Sequence, residues 1–595
     1  MEVLQGECKI GSETIGALPI IASYLKRMQI AHIIDSFTGG IRANGSRMSH
    51  GDTSFILILY LFCRPHVISK IEMWVEQTMY LRVLYPEIKS EYFTEARIED
   101  TLDAIHKAGI DNILFQQCVY LCEEFKLNAD NVFVDLTNFT VYGDYNVSEN
   151  GASLVSYGKP KSGRADLKQF AQEVAVVGDC GVPVYSKTLN GNTADVTRYW
   201  PMWQELRKLF KKTNFIMVGD CKLTSNENLV NISSHKGYYL GPEYTTNHKE
   251  LRKELLENHK HEKLHEVRKS KNYSVVYSGF ETKATITDPK TKNTYAQRRI
   301  YVHSTQLELD EQATLKRHIQ SSDEKLRIIQ TNALLNKYAS AEMLNNAINK
   351  TVSSFKVVGL VDISVTETSE IVKKAKTKGR HGKNTEYIEN VIIKNQVNYT
   401  WNAERIKQRK AECGYFVLVT NKPIENFSIQ EALQTYKKQC KVETVFSRLK
   451  GPLQVVPIRL ELPERIESIM YMLISCVQVM TLIDRTAEKT LSSKNTKLHG
   501  LFPKNRGVER PKAEFMTDAL RKLSLEFVKI DESVRVQVGH IHSLERELLE
   551  LMGAETQLYS KEYCAKRLTE SEKINNEEFN NLLNTCIFMN ETKNK

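Results

Sequence analysis

Three carboxylates stand at positions where a carboxylate is costly unless it has work to do. Asp135 follows the apolar run "NVFV" and Asp220 follows "FIMVG", so each ends or interrupts an apolar strand. Aspartate has poor strand propensity and is expensive to bury without a partner, which points to a site at the edge of a sheet. Glu443 is the single acid in "YKKQCKVETVFSRLK", Tyr436 to Lys450, a stretch that otherwise carries only positive charge. Two aspartates on neighbouring strands and a glutamate facing them from a helix can hold two Mg²⁺ ions, hard cations that prefer oxygen ligands and keep positions open for substrate phosphates. A metal pair about 4 Å apart activates a water or a DNA 3′ hydroxyl and stabilises the leaving oxygen, the chemistry of nucleases and strand-transfer enzymes.

The elements that must position these residues can be read from periodicity. Wound at roughly 100° per residue, the stretch from Tyr436 to Lys450 puts Tyr436, Gln439, Glu443, Ser447 and Lys450 on one polar stripe. Val442, Val445, Phe446 and Leu449 form the adjoining apolar sector, and Lys437, Lys441, Thr444 and Arg448 fall on a third, solvated arc. Residues 1–125 read as helices, among them "LPIIASYLKRMQIAHIIDSF", "HGDTSFILILYLFC" and "DNILFQQCVYLCEEF". At Asn131 the pattern turns to strand. "NVFVDLTNFTVY" is rich in β-branched and aromatic residues, and "FAQEVAVVGDCGVPVYSKTL" gives two strands split by the turn Gly178-Asp179-Cys180-Gly181. The helix "DVTRYWPMWQELRKLFKK" and the strand "NFIMVGD" complete a mixed α/β unit over 126–235. Residues 236–410 read as an α+β insertion, 411–485 return to the core with the strand "GYFVLVTN" and the Glu443 helix, and 486–595 begin with a polar linker and continue as a helical C-terminal region, a candidate for oligomerisation.

These stretches resemble the DDE transposases of bacterial insertion sequences, in the subgroup with a long insertion between the second Asp and the Glu and a Tyr-Arg-Glu-Lys signature. The resemblance is carried, in order, by "IGALPIIASYLKRMQIAHIID", "VDLTNFTVYG", "YGKPKSGRADLKQ", "GVPVYSKTLNGNTADVT", "VGDCKLTSNENL", "GYFVLVTN" and "YKKQCKVETVFSRLK". It implies an α/β fold with an RNase H-like mixed-sheet core, interrupted by the insertion and flanked by helical N- and C-terminal regions, the first of them binding DNA ends. It implies Asp135, Asp220 and Glu443 as catalytic metal ligands, Mg²⁺ (or Mn²⁺) as cofactor, and Tyr436 and Lys450 as contacts to the phosphates of the element's end. The signature's Arg is Gln439 here, which removes a bidentate phosphate donor. Two functions stand open: a transposase that cuts element ends and joins their 3′ hydroxyls to target DNA, and a catalytically impaired relic that only binds DNA. Either has double-stranded DNA as its partner, and joining two ends implies at least a dimer on DNA. The implied location is the bacterial cytoplasm, in association with DNA.

Composition agrees with a soluble, multidomain protein of anionic partners. The chain has 595 residues, 41% hydrophobic and 26% charged, with 82 Lys and Arg against 72 Asp and Glu, a net charge of +10. No basic start and apolar h-region mark a secretory signal, and the apolar run "SIMYMLISCVQVMTLI" is shorter than the ~20 residues of a bilayer span, so it reads as a buried helix. Eleven cysteines without a CxxC pair read as reduced thiols, Cys118 and Cys122 as core residues. "HEKLH", His261 to His265, matches the zinc motif H-E-x-x-H, but its surroundings are charged nearly all round and read as a solvated helix. The basic run Lys373, Lys374, Lys376, Lys378, Arg380 and Lys383 reads as an arm for phosphates or a solvated loop, and Trp401 as core or as a platform for an unpaired base.

Overall fold

The computed structural model describes residues 8–553 except 41–47, 64–66, 144, 146–153, 159–162, 165, 244–261, 271–272, 339, 376–386 and 531–532, together with Cys564 and Arg567. Strand β1 (Cys8–Thr14) leads into the helices Leu18–Arg27, Ile30–Thr38, His50–Cys63, Ile71–Gln77, Tyr80–Leu84, Glu95–Ala108 and Ile110–Glu124. Then come β2 (Asn131–Val141), β3 (Lys168–Val177), β4 (Pro183–Asn190), helix Tyr199–Phe210, β5 (Ile216–Val218), helix Asn226–Ser234 and β6 (Tyr238–Pro242). The next stretch holds β7 (Glu262–Ser270), β8 (Tyr273–Thr287), β9 (Thr294–Ser304), helices Thr305–Leu334 and Ala341–Ser354, β10 (Val361–Ala375), β11 (Tyr387–Trp401) and helix Ala403–Ala411. After β12 (Tyr415–Thr420) come helices Ile429–Tyr436, Cys440–Lys450, Pro463–Lys494 and Ala513–Ala519, then β13 (Ser524–Ile530), β14 (Ser533–Val538) and helix Ser543–Leu551.

The architecture is mixed α/β around a nine-stranded sheet in the order β4–β3–β2–β5–β6–β12–β9–β8–β7. β2, β3 and β4 pair antiparallel, while β2, β5 and β6 run parallel. The expected hairpin at Gly178 to Gly181 is the β3–β4 connection. β3 lies between two strands and is buried along almost its whole length. Its polar side chains therefore have partners: Gln169 donates to the Gly191 carbonyl (2.7 Å), Gln172 to Ser186 (2.6 Å), and Glu173 takes a two-point contact from Arg198 at 2.9 and 3.0 Å. On the far side of β6, antiparallel β12 and β9 carry the sheet on into β8 and β7, so strands of the region read as an insertion extend the same sheet.

The helix Pro463–Lys494 links the helical N-terminal region to the sheet. Proline at its first turn fits, since that N–H would have no helical partner. It is long and apolar enough to cross a membrane, and 94% of its apolar window is buried inside this fold. It packs on helices Glu95–Ala108, His50–Cys63 and Ile110–Glu124 and on β4. Arg465 clamps Asp103 (2.8 Å) and Glu99 (2.7 Å), Ser468 donates to the Leu102 carbonyl (2.7 Å), and Gln478 to that of Pro183 (2.9 Å).

Several expectations are corrected. The terminal regions are not purely helical: β1 pairs antiparallel with β13, which pairs with β14. The run "LPIIASYLKRMQIAHIIDSF" is two helices, broken where Gln29 takes a left-handed conformation at φ 54°. The solvated helix expected at "HEKLH" is not what its described residues form: Glu262 to His265 belong to strand β7. His261 itself lies outside the described residues, as do Lys376, Lys378, Arg380 and Lys383. Lys373 and Lys374 are exposed near the end of β10, which pairs with β11 in a separate two-stranded ribbon. Trp401 packs into the small core at the base of that ribbon, and its indole donates to Asp323 (2.9 Å).

Candidate active site at the strand ends

β2 and β5 run in parallel register, Asn131 opposite Ile216 and Phe133 opposite Val218. Two residues further along each chain, the same register sets Asp135 level with Asp220, just beyond the end of β5. Asp220 thus lies at the carboxyl end of a parallel strand, where open α/β sheets bind their ligands, while Asp135 lies in the middle of β2. Gly219, beside Asp220, fits a close approach: a Cβ there would lie 3.0 Å from Leu223 Cδ2 and 3.3 Å from Val134 Cγ2, so these side chains would have to shift to admit one. Asp135 is half-buried, and its Oδ1 accepts from the Leu136 amide at 2.7 Å. Asp220 is also half-buried; its Oδ1 accepts from the Tyr199 hydroxyl (2.6 Å) and the Lys222 amide (3.0 Å). Burial, and after it the charge of Asp220, pushes the Tyr199 phenol far up, so it remains a proton donor that orients Asp220.

The helix bearing Glu443 lies on the face of β2 that carries Asp135. Side chains alternate along a strand, so Asp135, Thr137 and Phe139 share a face. Lys450 Nζ donates to Thr137 Oγ1 at 2.7 Å and lies 5.4 Å from the centre of the Phe139 ring. At the other end of the helix, Lys441 Nζ donates to the carbonyls of Gly178 (2.8 Å) and Asp179 (2.9 Å), in the turn after β3. Val177, the last residue of β3, is opposite Val132. The helix thus runs along β2 from the level of Val132 to that of Thr137, and Glu443 is exposed between those anchors. Tyr436 is half-buried; burial first, then the charges of Asp220, Cys221 and Glu443, pushes its phenol up.

The helix is not wound continuously from Tyr436. Lys437–Gln439 form a 3₁₀ turn between helices Ile429–Tyr436 and Cys440–Lys450, which rotates Tyr436 and Gln439 away from the positions a single α-helix gives them. Gln439 is half-buried and Lys450 exposed. The apolar sector is as expected, with Val442, Val445, Phe446 and Leu449 buried. The solvated arc is not. Lys437 sits over the Tyr277 ring, 3.1 Å from its centre, and Lys441 is half-buried. Arg448 is 2% exposed and fixed by Glu514 (2.7 and 3.1 Å), Asp484 (2.7 Å) and Thr481 (2.9 Å). An arginine fork can meet two carboxylates at once, and these partners come from helices Pro463–Lys494 and Ala513–Ala519.

Beyond the expected residues, the site includes Tyr199, Lys222 and Asp195. The Lys222 ammonium pairs with Asp195, in the turn before helix Tyr199–Phe210. Burial pulls Lys222 down, but the bond and charge of Asp195, with the charges of Asp220 and Asp135, outweigh it and raise the lysine. Lys222 lies two residues after a strand-end aspartate, a signal the sequence carries; nothing in the sequence marks Tyr199. By donor type the three carboxylates suit a hard divalent cation. They are not drawn together, since among the described residues no three His, Cys, Asp or Glu side chains converge closely enough to hold a metal ion. Cavities of about 400 and 510 Å³ open beside β4, lined by Asp111, Ser186 and Lys187 among others, and include none of the three carboxylates.

Residues 10–119 match a family described as a domain of unknown function (DUF4277). No curated protein matches the chain. Among solved structures, the chain matches a piggyBac transposase synaptic complex with hairpin DNA at 8% identity and a TM-score of 0.34, over 95% of this chain and 87% of that one.

Proposed function

We propose that this chain is a DNA transposase that cuts the ends of its own element and joins their 3′ hydroxyls to target DNA. One observation carries the reading: Asp135, in the middle of β2, stands level with Asp220, just past the carboxyl end of parallel β5, and the helix bearing Glu443 is anchored on that same face of β2 through Lys450 and Thr137. The order β4–β3–β2–β5–β6, antiparallel then parallel, supports the RNase H-like core that the sequence resemblance implies. Asp135, Asp220 and Glu443 would hold Mg²⁺ or Mn²⁺, which when bound activates the attacking oxygen and stabilises the leaving one.

The chain's own residues divide the remaining work. Tyr199 and the Lys222 amide fix the rotamer of Asp220. Lys450, on Thr137 two residues along β2 from Asp135, with Tyr436 and Gln439 at the start of the Glu443 helix, would meet the phosphate backbone, and the basic excess of +10 favours such a polyanion. Both ends must be present for joining, so the working species is at least a dimer on DNA. A second reading, a DNA-binding protein that has lost catalysis, draws on Gln439 and on carboxylates that do not converge.

Incubating the protein with duplex DNA from the ends of its element tests the proposal. Cleavage at the 3′ ends is expected with Mg²⁺ or Mn²⁺, and binding without cleavage with Ca²⁺, whose looser coordination handles in-line displacement poorly. Undiminished cleavage in excess EDTA would overturn the metal assignment.

A further inference from the structure

The run "TYKKQCKVE", Thr435 to Glu443, contains neither glycine nor proline, so nothing local stops an α-helix from continuing through it. The chain breaks there all the same, into the 3₁₀ turn Lys437–Gln439, whose hydrogen-bond geometry is poorer than that of an α-helix. The cause lies in tertiary contacts, and Lys437 and Lys441 supply them. In a continuous α-helix, residues four apart lie on one face and reach toward the same neighbours. Here the Lys437 ammonium sits 3.1 Å from the centre of the Tyr277 ring, on β8, while that of Lys441 donates to the carbonyls of Gly178 (2.8 Å) and Asp179 (2.9 Å), in the turn after β3. Five strands, β2, β5, β6, β12 and β9, stand between β3 and β8 in the sheet, and the first two of them lead to Asp135 and Asp220. The two lysines are thus tethered on opposite sides of the strands that carry the aspartates. The helix before the turn is fixed from the same side as Lys437. Arg298 on β9, 8% exposed and paired with Glu281 of β8 at 3.0 Å, donates to the carbonyls of Lys422 and Phe427 at 2.8 Å, just ahead of helix Ile429–Tyr436. β8 and β9 therefore grip both ends of that helix.

We propose that Tyr277 is a positioning residue for DNA-end binding: through Lys437 it holds the 3₁₀ turn in place, and so sets how Gln439 and the start of the Glu443 helix meet the phosphates of the element's end. The inference rests on the reading of that helix as a DNA contact, and it gives strand β8, within 236–410, a part in the site. The ammonium meets the centre of the ring, so the contact uses the aromatic face and phenylalanine should serve as well as tyrosine.

The test uses the full chain, with hydrogen exchange of the amides in 438–441 measured without DNA and the preference for element-end DNA over an unrelated duplex of equal length measured by fluorescence anisotropy. Tyr277→Leu and Lys437→Met should each speed that exchange about fivefold, as expected for the loss of one cation–π contact at a half-buried site, with exchange in β3 unchanged as the check on the fold. Each should also lower the preference for element ends about fivefold, and the double variant should lower it no further, because the tether is already broken. Tyr277→Phe should match wild type in both measurements. Wild-type exchange in Tyr277→Leu would overturn the tether. Faster exchange with the end preference intact would overturn the positioning role, and an additive loss in the double variant would overturn it in favour of Lys437 as a direct DNA contact. Absence of any end preference in wild type would overturn the DNA-end reading, and the inference with it.

Discussion

Replacing Arg448 by Met removes the fork that ties the Glu443 helix to the C-terminal part of the chain. The arginine side chain is 2% exposed, and its loss leaves Asp484 at 12% and Glu514 at 27% exposure without their main partner. Breaking a buried pair costs about 3–5 kcal/mol, most of it from the charge left behind. Here Asp484 keeps the Ala513 amide (2.6 Å) and Lys512 (3.2 Å), and Glu514 can turn to water, so the cost belongs at the lower end, about 3 kcal/mol. A chain of this size need not unfold in one step, so the measurement is local: hydrogen exchange of the amides in 440–450 and 513–519. About 3 kcal/mol corresponds to roughly 100-fold faster exchange there, and little change in β3. The pH dependence follows from Glu514. Its own burial would raise it, but the bonds and charge of Arg448 hold it below its ordinary value of 4.5. The stabilisation it contributes is therefore present above that value and lost as pH falls below it through the depressed folded value; the Met variant should lack this acid-side loss. Exchange at 440–450 within about threefold of wild type would refute the claim that Arg448 fixes the helix.

Gln439→Arg should restore a charged donor in the turn before the Glu443 helix, tightening binding of element-end DNA by about 1–2 kcal/mol and steepening its salt dependence; an unchanged affinity and salt slope in fluorescence anisotropy would mean that Lys438 or Lys441 already fills the role. Tyr199→Phe keeps the buried ring but takes one of two donors from Asp220 Oδ1. A loss of roughly 1 kcal/mol is expected from that bond, seen as cleavage about fivefold slower with DNA binding unchanged. Equal cleavage by both proteins would remove Tyr199 from the site.

Much of this was legible because it depends on neighbours in sequence. The β3–β4 hairpin announces itself by turn residues between β-branched runs, and Asp135 and Asp220 stand out because each interrupts an apolar stretch. The buried face of the Glu443 helix follows from spacing alone. What spacing cannot carry is a partner far along the chain. Arg448 reads as solvated until Asp484, 36 residues on, and Glu514, 66 residues on, are folded against it. The pairing of β1 with β13 joins opposite ends of the chain and is hidden for the same reason, although the alternation in "SVRVQV" marks β14. "HEKLH" shows a different failure. A short charged segment has no apolar period to separate helix from strand, and the pairing with β8 decided it. The 3₁₀ turn at Lys437–Gln439 also leaves no mark in a pattern summed at a fixed angle per residue.

The central claim, that exposed Glu443 completes a catalytic set with Asp135 and Asp220, is tested most directly by Glu443→Gln on DNA from the element's ends, with binding and 3′-end cleavage measured side by side. Glutamine keeps the size of the side chain and removes its charge on an exposed position, so the fold is undisturbed. The account predicts binding at least as tight as wild type, since a negative charge near phosphate is gone, and cleavage at least ~100-fold slower. Cleavage at the wild-type rate would contradict it, and end binding without cleavage by wild type and variant alike would identify a DNA-binding relic instead.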